Sequence, residues 1–143
     1  MGIWRVYYRG VMSVTLNPYL FFVGTCRPAM EFYQSVFGGG LEIHPYSEMM
    51  GADAPNANNV MHANLTGGLV SFMASDGDRT EPYGTSCISL ALGGSDEGVL
   101  TDVFNKLGEG GKVDQPLSDA PWGGKFGMLT DKFGIDWMFN IEA

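Results

Sequence analysis

Residues 16–24 (LNPYLFFVG) are apolar and aromatic and predict a strand. Beyond them Ala29, Met30, Tyr33, Val36 and Phe37 recur at the spacing of one helical face. Thr25 stands where a cap is needed. Pro28 falls in the first turn, where a missing N–H costs little, and the run Gly38-Gly39-Gly40 ends the helix. Residues 41–49 predict a second strand, and the small, polar residues 50–59 a loop. Residues 60–66 and 69–74 predict a hairpin closed by Gly67-Gly68, a favoured two-residue turn.

The order then repeats. Residues 86–92 (SCISLAL) predict a strand. Ser95 is the expected cap of a second helix, with Asp96 and Glu97 in its first turn, where the helix dipole favours acids. Val99, Leu100, Val103, Phe104 and Leu107 form its stripe, and Gly108, Gly110 and Gly111 stop it. Three further strands are expected near 112–117, 126–130 and 135–141. A shift of 70 carries Gly24, Thr25, Met30, Tyr33 and Phe37 onto Gly94, Ser95, Leu100, Val103 and Leu107. A shift of 64 carries Leu65-Thr66 onto Leu129-Thr130, and one of 66 carries Phe72-Met73 onto Met138-Phe139. The expected fold is therefore α+β: two tandem βαβββ modules, about 14–76 and 84–142, forming a curved mixed sheet around a shared cleft. With 143 residues in all, one domain over 12–143 is enough.

Residues 1–11 (MGIWRVYYRGV) stand apart. They carry two arginines and no acid, and Met12 opens a second plausible start, so they are read as an N-terminal extension or an added edge strand. Their apolar runs are too short for the core of a signal peptide. The rest is acidic: 8 Lys and Arg against 16 Asp and Glu give a net charge of −8. That excludes a nucleic-acid binder, which needs clustered cations, and a partner for anionic membranes. No apolar run reaches the roughly 18 residues of a membrane span. Two cysteines, Cys26 and Cys87, are too few for a disulfide scaffold and read as reduced thiols of a cytoplasmic protein.

Particular strings narrow the reading. They are Asn17-Pro18-Tyr19-Leu20, Ala29-Met30-Glu31-Phe32-Tyr33 with Phe37-Gly38-Gly39, and Met61-His62-Ala63-Asn64-Leu65. Near the end come Trp122-Gly123, Phe126-Gly127-Met128, and residues 131–138 (DKFGIDWM). With the duplicated unit, these strings resemble the PhnB-like branch of the vicinal oxygen chelate superfamily, which includes glyoxalase I, bleomycin-resistance proteins and extradiol dioxygenases. The resemblance covers residues 14–142. It implies a homodimer. In metal-using members four ligands project from the first and last strands of the two units. Alignment on the resemblance puts Asn17, Phe72, Cys87 and Met138 at those positions. They offer a weak carbonyl, nothing, a thiol and a thioether, so no metal and no cofactor is expected. Some members are labelled 3-demethylubiquinone methyltransferases, yet no Gly-rich strand-to-helix turn that would hold S-adenosylmethionine is present.

Strand alternation assigns faces. The cleft side is expected to carry Asn17, Tyr19, Phe21, Val70, Phe72, Cys87, Ser89, Asp136, Met138 and Asn140, with Trp122 as an aromatic lid at its mouth. Leu20, Phe22, Ile88, Leu90, Trp137 and Phe139 are expected to pack on the helices. The result is a mostly apolar pocket for a small, partly apolar ligand. His62 is the candidate general base, on the face opposite Phe72; its other reading is a structural hydrogen bond. His44 is expected at the surface. Cys26, in the first helical turn, is expected to have a lowered thiol pKa. Residues 131–134 (DKFG) read as a tight turn, and the acids as a solvated surface. Three function classes remain: a metal-independent binder, a metal-dependent lyase, isomerase or dioxygenase, and an interaction protein with a filled cleft.

Overall fold

The computed structural model describes residues 16–84 and 86–143; the extension over 1–11 lies outside them. Each half of the chain builds the same unit. The first comprises β1 (Tyr19–Phe21), α1 (Cys26–Phe37), β2 (Gly40–Pro45), a one-turn α2 (Ser47–Met50), β3 (Val60–Thr66) and β4 (Phe72–Ser75). The second comprises β5 (Leu90–Gly94), α3 (Glu97–Leu107), β6 (Lys112–Asp119), β7 (Lys125–Thr130) and β8 (Asp136–Ile141). The strand orders are β1-β4-β3-β2 and β5-β8-β7-β6. In both sheets the first strand runs parallel to the last and the remaining pairs are antiparallel. The fold is α+β with two open, curved four-stranded sheets.

The helical stripes form as their spacing demands. Cys26, Ala29, Met30, Tyr33, Val36 and Phe37 are the buried residues of α1. In α3 the buried stripe is narrower, Val103, Phe104 and Leu107, and Val99 remains 38% exposed. The caps differ from the expectation. Thr25 makes no side-chain cap bond. The Asp76 carboxylate does that work from beyond the end of β4, accepting from the Cys26 N–H at 2.9 Å and the Val60 N–H at 2.8 Å. In α3 the cap is Asp96, not Ser95: its Oδ1 accepts from the Val99 N–H at 3.1 Å.

The hairpin of β3 and β4 is not closed by a two-residue turn. The last paired residues are Leu65 and Phe72, so six residues make the connection. Gly68 lies against the carboxyl end of α1, where an added Cβ would sit 2.5 Å from the carbonyl oxygens of Phe37 and Gly38. Leu69 N–H donates to the Phe37 carbonyl at 3.0 Å. The glycine pair thus lets a loop pass close to a helix end rather than making the smallest turn.

Helix-side faces of both sheets drain into one core. Phe37 and Phe72 meet Trp137 with ring centroids 5.5 and 6.5 Å apart, and Tyr33 meets Phe133 and Trp137 at 6.1 Å each. Among the described residues every ring contact between the modules lies on this side. The open face of each sheet is on the far side of that sheet from the core.

Candidate functional site

Strand pairing decides which side chains reach the open faces. Tyr19 pairs with Met73 and Phe21 with Ser75 in the parallel ladder, while Asn64 pairs with Met73 and Leu65 with Phe72 in the antiparallel one. Side chains of paired residues share a face, so Tyr19, Phe21, Met73, Ser75, His62 and Asn64 stand together on the open side. Phe72 faces the other way. It is 2% exposed, against Tyr33, Phe37 and Trp137. Phe72, expected on the same face as Tyr19, therefore lies on the other, and Met73 stands beside Tyr19 instead.

The slip has a definite origin. Leu20 pairs with Ala74 and Leu90 with Trp137, so β4 and β8 correspond by a shift of 63 (137 − 74 = 63) rather than 66. An odd shift in place of an even one reverses the face. Met138 is in fact on the open side, with Asp136 and Asn140, while Trp137, Phe139 and Ile141 are buried.

Other expected residues fall outside the strands. Asn17 is exposed and precedes β1. Cys87, Ile88 and Ser89 precede β5 and are exposed; Ile88 does not pack on a helix. Cys87 therefore neither lines a strand face nor fills the core. Val70 is half-buried against the core. Trp122, in the β6–β7 connection, is 67% exposed and stands edge-on to Phe126 at 5.6 Å. Its indole N–H reaches Asn140 Oδ1 at 3.4 Å, a long hydrogen bond.

On the first module the open face has a definite chemistry. Tyr19 and Phe21 stack with centroids 5.0 Å apart, and they are 38% and 50% exposed. Tyr19 Oη and His62 Nδ1 are 2.9 Å apart. Burial first, then the neighbouring Cys26 thiol, raises the Tyr19 phenol above its ordinary value, so it remains a hydroxyl at neutral pH. With Nδ1 engaged, Nε2 is the imidazole nitrogen left to meet a ligand. His44 lies directly opposite His62 across the β2–β3 pair, and its Nδ1 contacts Glu48 Oε2 at 3.0 Å. Both histidines thus occupy one face, a relation that their separation along the chain does not reveal.

Two carboxylates escaped the reading of the acids as surface. Asp76 is 2% and Asp131 3% exposed. Asp131 sits in the β7–β8 turn and accepts four hydrogen bonds. Tyr33 Oη and Trp137 Nε1 donate to Oδ2 at 2.7 and 2.8 Å; the Phe133 and Ile135 N–H groups donate to Oδ1 at 2.8 and 3.1 Å. Burial, then the Asp131 charge, pushes the Tyr33 phenol far up. Cys26 is likewise corrected. It is fully buried, and burial together with the Asp76 charge pushes its thiol up to about 12, against any lowering by the helix end.

As metal donors the first and last strands of the modules are poor. Their open faces carry Tyr19, Phe21, Met73 and Ser75, then Ala91, Gly93, Asp136, Met138 and Asn140. Asp136 is the sole carboxylate there, and Thr130 Oγ1 donates to it at 2.7 Å. Among the described residues no three His, Cys, Asp or Glu side chains group closely enough to hold a metal ion. No helix among them is long and apolar enough to cross a membrane.

The chain and its fold are similar to known proteins. Protein PA1353 from Pseudomonas aeruginosa is 37% identical, with a TM-score of 0.79 over 90% of this chain and 98% of its own. A Bacillus cereus PhnB protein described as a putative 3-demethylubiquinone-9 3-methyltransferase is 28% identical, with a TM-score of 0.72 over 90% and 99%. Protein YjdN of Escherichia coli K12 is 29% identical over 138 residues, 88% of this chain and 94% of that one. The model of the 3-demethylubiquinone-9 3-methyltransferase family matches residues 14–139. The chain therefore belongs to that family, the PhnB-like branch of the vicinal oxygen chelate superfamily.

Proposed function

We propose that the protein binds a small, partly apolar molecule on the open faces of its sheets, without a metal. One observation carries the proposal: two stacked aromatic rings, Tyr19 and Phe21, stand exposed on a sheet face beside the Tyr19–His62 hydrogen bond. A sheet face turned to water is ordinarily polar, and an apolar patch rimmed by polar groups marks a binding surface. The aromatic rings supply contact area, and His62 with Asn64 supplies the few oriented polar groups that small-molecule sites use. The strand-to-helix turns Gly24-Thr25 and Gly94-Ser95 lack the glycine-rich run that holds S-adenosylmethionine. They support binding rather than methyl transfer.

The open face of each module is turned away from the shared core. A cleft built from both is proposed to form when a second copy sets one module's face against the partner's. Native mass spectrometry of the purified chain tests both parts. The expected mass is twice that of the chain, unchanged when zinc, nickel or manganese is offered. A single-chain mass overturns the dimer, and one tightly held metal per chain overturns the metal-free site.

A further inference from the structure

We infer that the open face of the first module selects an aromatic cation. Its ring lies on the Tyr19–Phe21 stack, and Glu42 and Glu48 at the other edge of the same face attract its positive charge across the sheet. The inference rests on the ligand-binding reading above and adds the ligand's charge to it.

Strand order sets the geometry. β1 and β2 are the two edges of the sheet, three strand spacings apart, or roughly 14 Å. The aromatic rings stand at one edge. At the other, Glu42 pairs across from Asn64 and so shares the open face, and Glu48 on α2 contacts His44. Both carboxylates are exposed. Glu42 makes no ion pair among the described residues, and no Lys or Arg stands on any strand of this sheet. An aromatic face attracts cations through its negative quadrupole. A surface that joins π faces to carboxylates, with no Lys or Arg on its strands, therefore favours a positive ligand and repels an anion. The other module's open face also joins aromatic rings to acids, but with one lysine among them. Trp122 stands on Phe126, Asp114 and Asp136 flank Thr130, and Lys112 is tied to Asp114 at 3.5 Å. The net charge of −8 adds to the preference at long range.

Three probes of one ring shape separate the possibilities: 9-aminoacridine, a cation; acridine, neutral; and acridine-9-carboxylate, an anion. Each is titrated against the full chain by fluorescence at pH 8. The cation is expected to bind saturably and about tenfold more tightly than the anion at low salt, a difference that narrows in high salt. Glu42→Gln with Glu48→Gln is expected to remove most of that preference while leaving acridine binding unchanged. Tyr19→Leu is expected to weaken all three. Equal affinity for the three probes, or tighter binding of the carboxylate, overturns the charge selection and leaves the ligand-binding reading standing. No saturable binding of any probe overturns both.

Discussion

Cys26 and Cys87 are the same side chain in opposite surroundings. The end of a helix lowers a thiol pKa modestly, but full burial and the adjacent Asp76 carboxylate act the other way and win, taking Cys26 up to about 12. At pH 8 a thiol of that value is thiolate in roughly one chain in ten thousand. Cys87 is exposed. A thiol-specific disulfide reagent is therefore expected to label one cysteine per native chain rapidly, and Cys87→Ser to abolish that phase. Two thiols reacting at one rate would contradict the burial. The same raised value has a consequence for stability. The native state holds the Cys26 proton more tightly than the unfolded chain, so its contribution is complete below pH 9 and fades as pH rises from 9 toward about 12. Tyr33, raised by the same cause, adds a loss in the same direction above pH 10. Urea midpoints are expected to fall above pH 9, with Cys26→Ala flattening the first part of that fall.

Among the elements, the helices were the most legible and the caps the least. Five apolar residues at 3.6-residue spacing locate α1 because burial of one stripe is what makes a helix of this length stable. Capping was misread because the group that serves α1 lies 50 residues away in sequence: Asp76 reaches the Cys26 N–H from just past the end of β4, the strand beside β1. Local sequence shows Thr25 in the right place and cannot show that its hydroxyl stays out of the bond. Face assignment failed at β4 for a related reason. The Gly67-Gly68 pair suits a minimal turn, but Gly68 is needed where the loop meets the α1 carbonyls, and the two repeats differ in length by an odd number before their last strands. Alternation along β1 and β8 puts Tyr19, Phe21 and Met138 on the open side, whereas the partnership of Tyr19 with His62 reaches across β4 from β1 to β3 and has no local signature. The caps give a direct comparison. Thr25→Ala is expected to change stability by less than about 0.5 kcal/mol. Asp96→Ala is expected to cost about 1 kcal/mol, and Asp76→Ala about 2–4 kcal/mol, because two buried N–H groups lose their acceptor. Urea denaturation of the three variants checks the order, and a Thr25→Ala loss as large as that of Asp76→Ala would show that the cap lies on the local residue after all.

At the scale of the whole molecule, the two modules are one folding unit because their helix-side faces share a single core. The apolar part of that junction is Tyr33, Phe37 and Phe72 against Trp137. Its polar part is Asp131, which anchors its own turn through two backbone N–H groups and takes the Tyr33 hydroxyl from the other module at 2.7 Å. A hydroxyl-to-carboxylate bond in a dry site is stronger than a neutral one, and each partner is costly to leave behind alone. Tyr33→Phe removes the donor and is expected to cost about 1.5–3 kcal/mol. Asp131→Ala strands four donors and is expected to cost about 3–5 kcal/mol. With Asp131 already gone, the Tyr33 hydroxyl has lost this acceptor, so removing it is expected to cost little or to restore stability. The double-mutant coupling is thus expected to be about 2 kcal/mol, read from urea curves of the two single variants and the double. Fluorescence and circular dichroism are expected to report the same midpoint in every variant, since the aromatic junction still joins the modules. Coupling below about 0.5 kcal/mol would mean that the bond between the modules contributes nothing in solution, and separated midpoints would mean that the core is two cores rather than one.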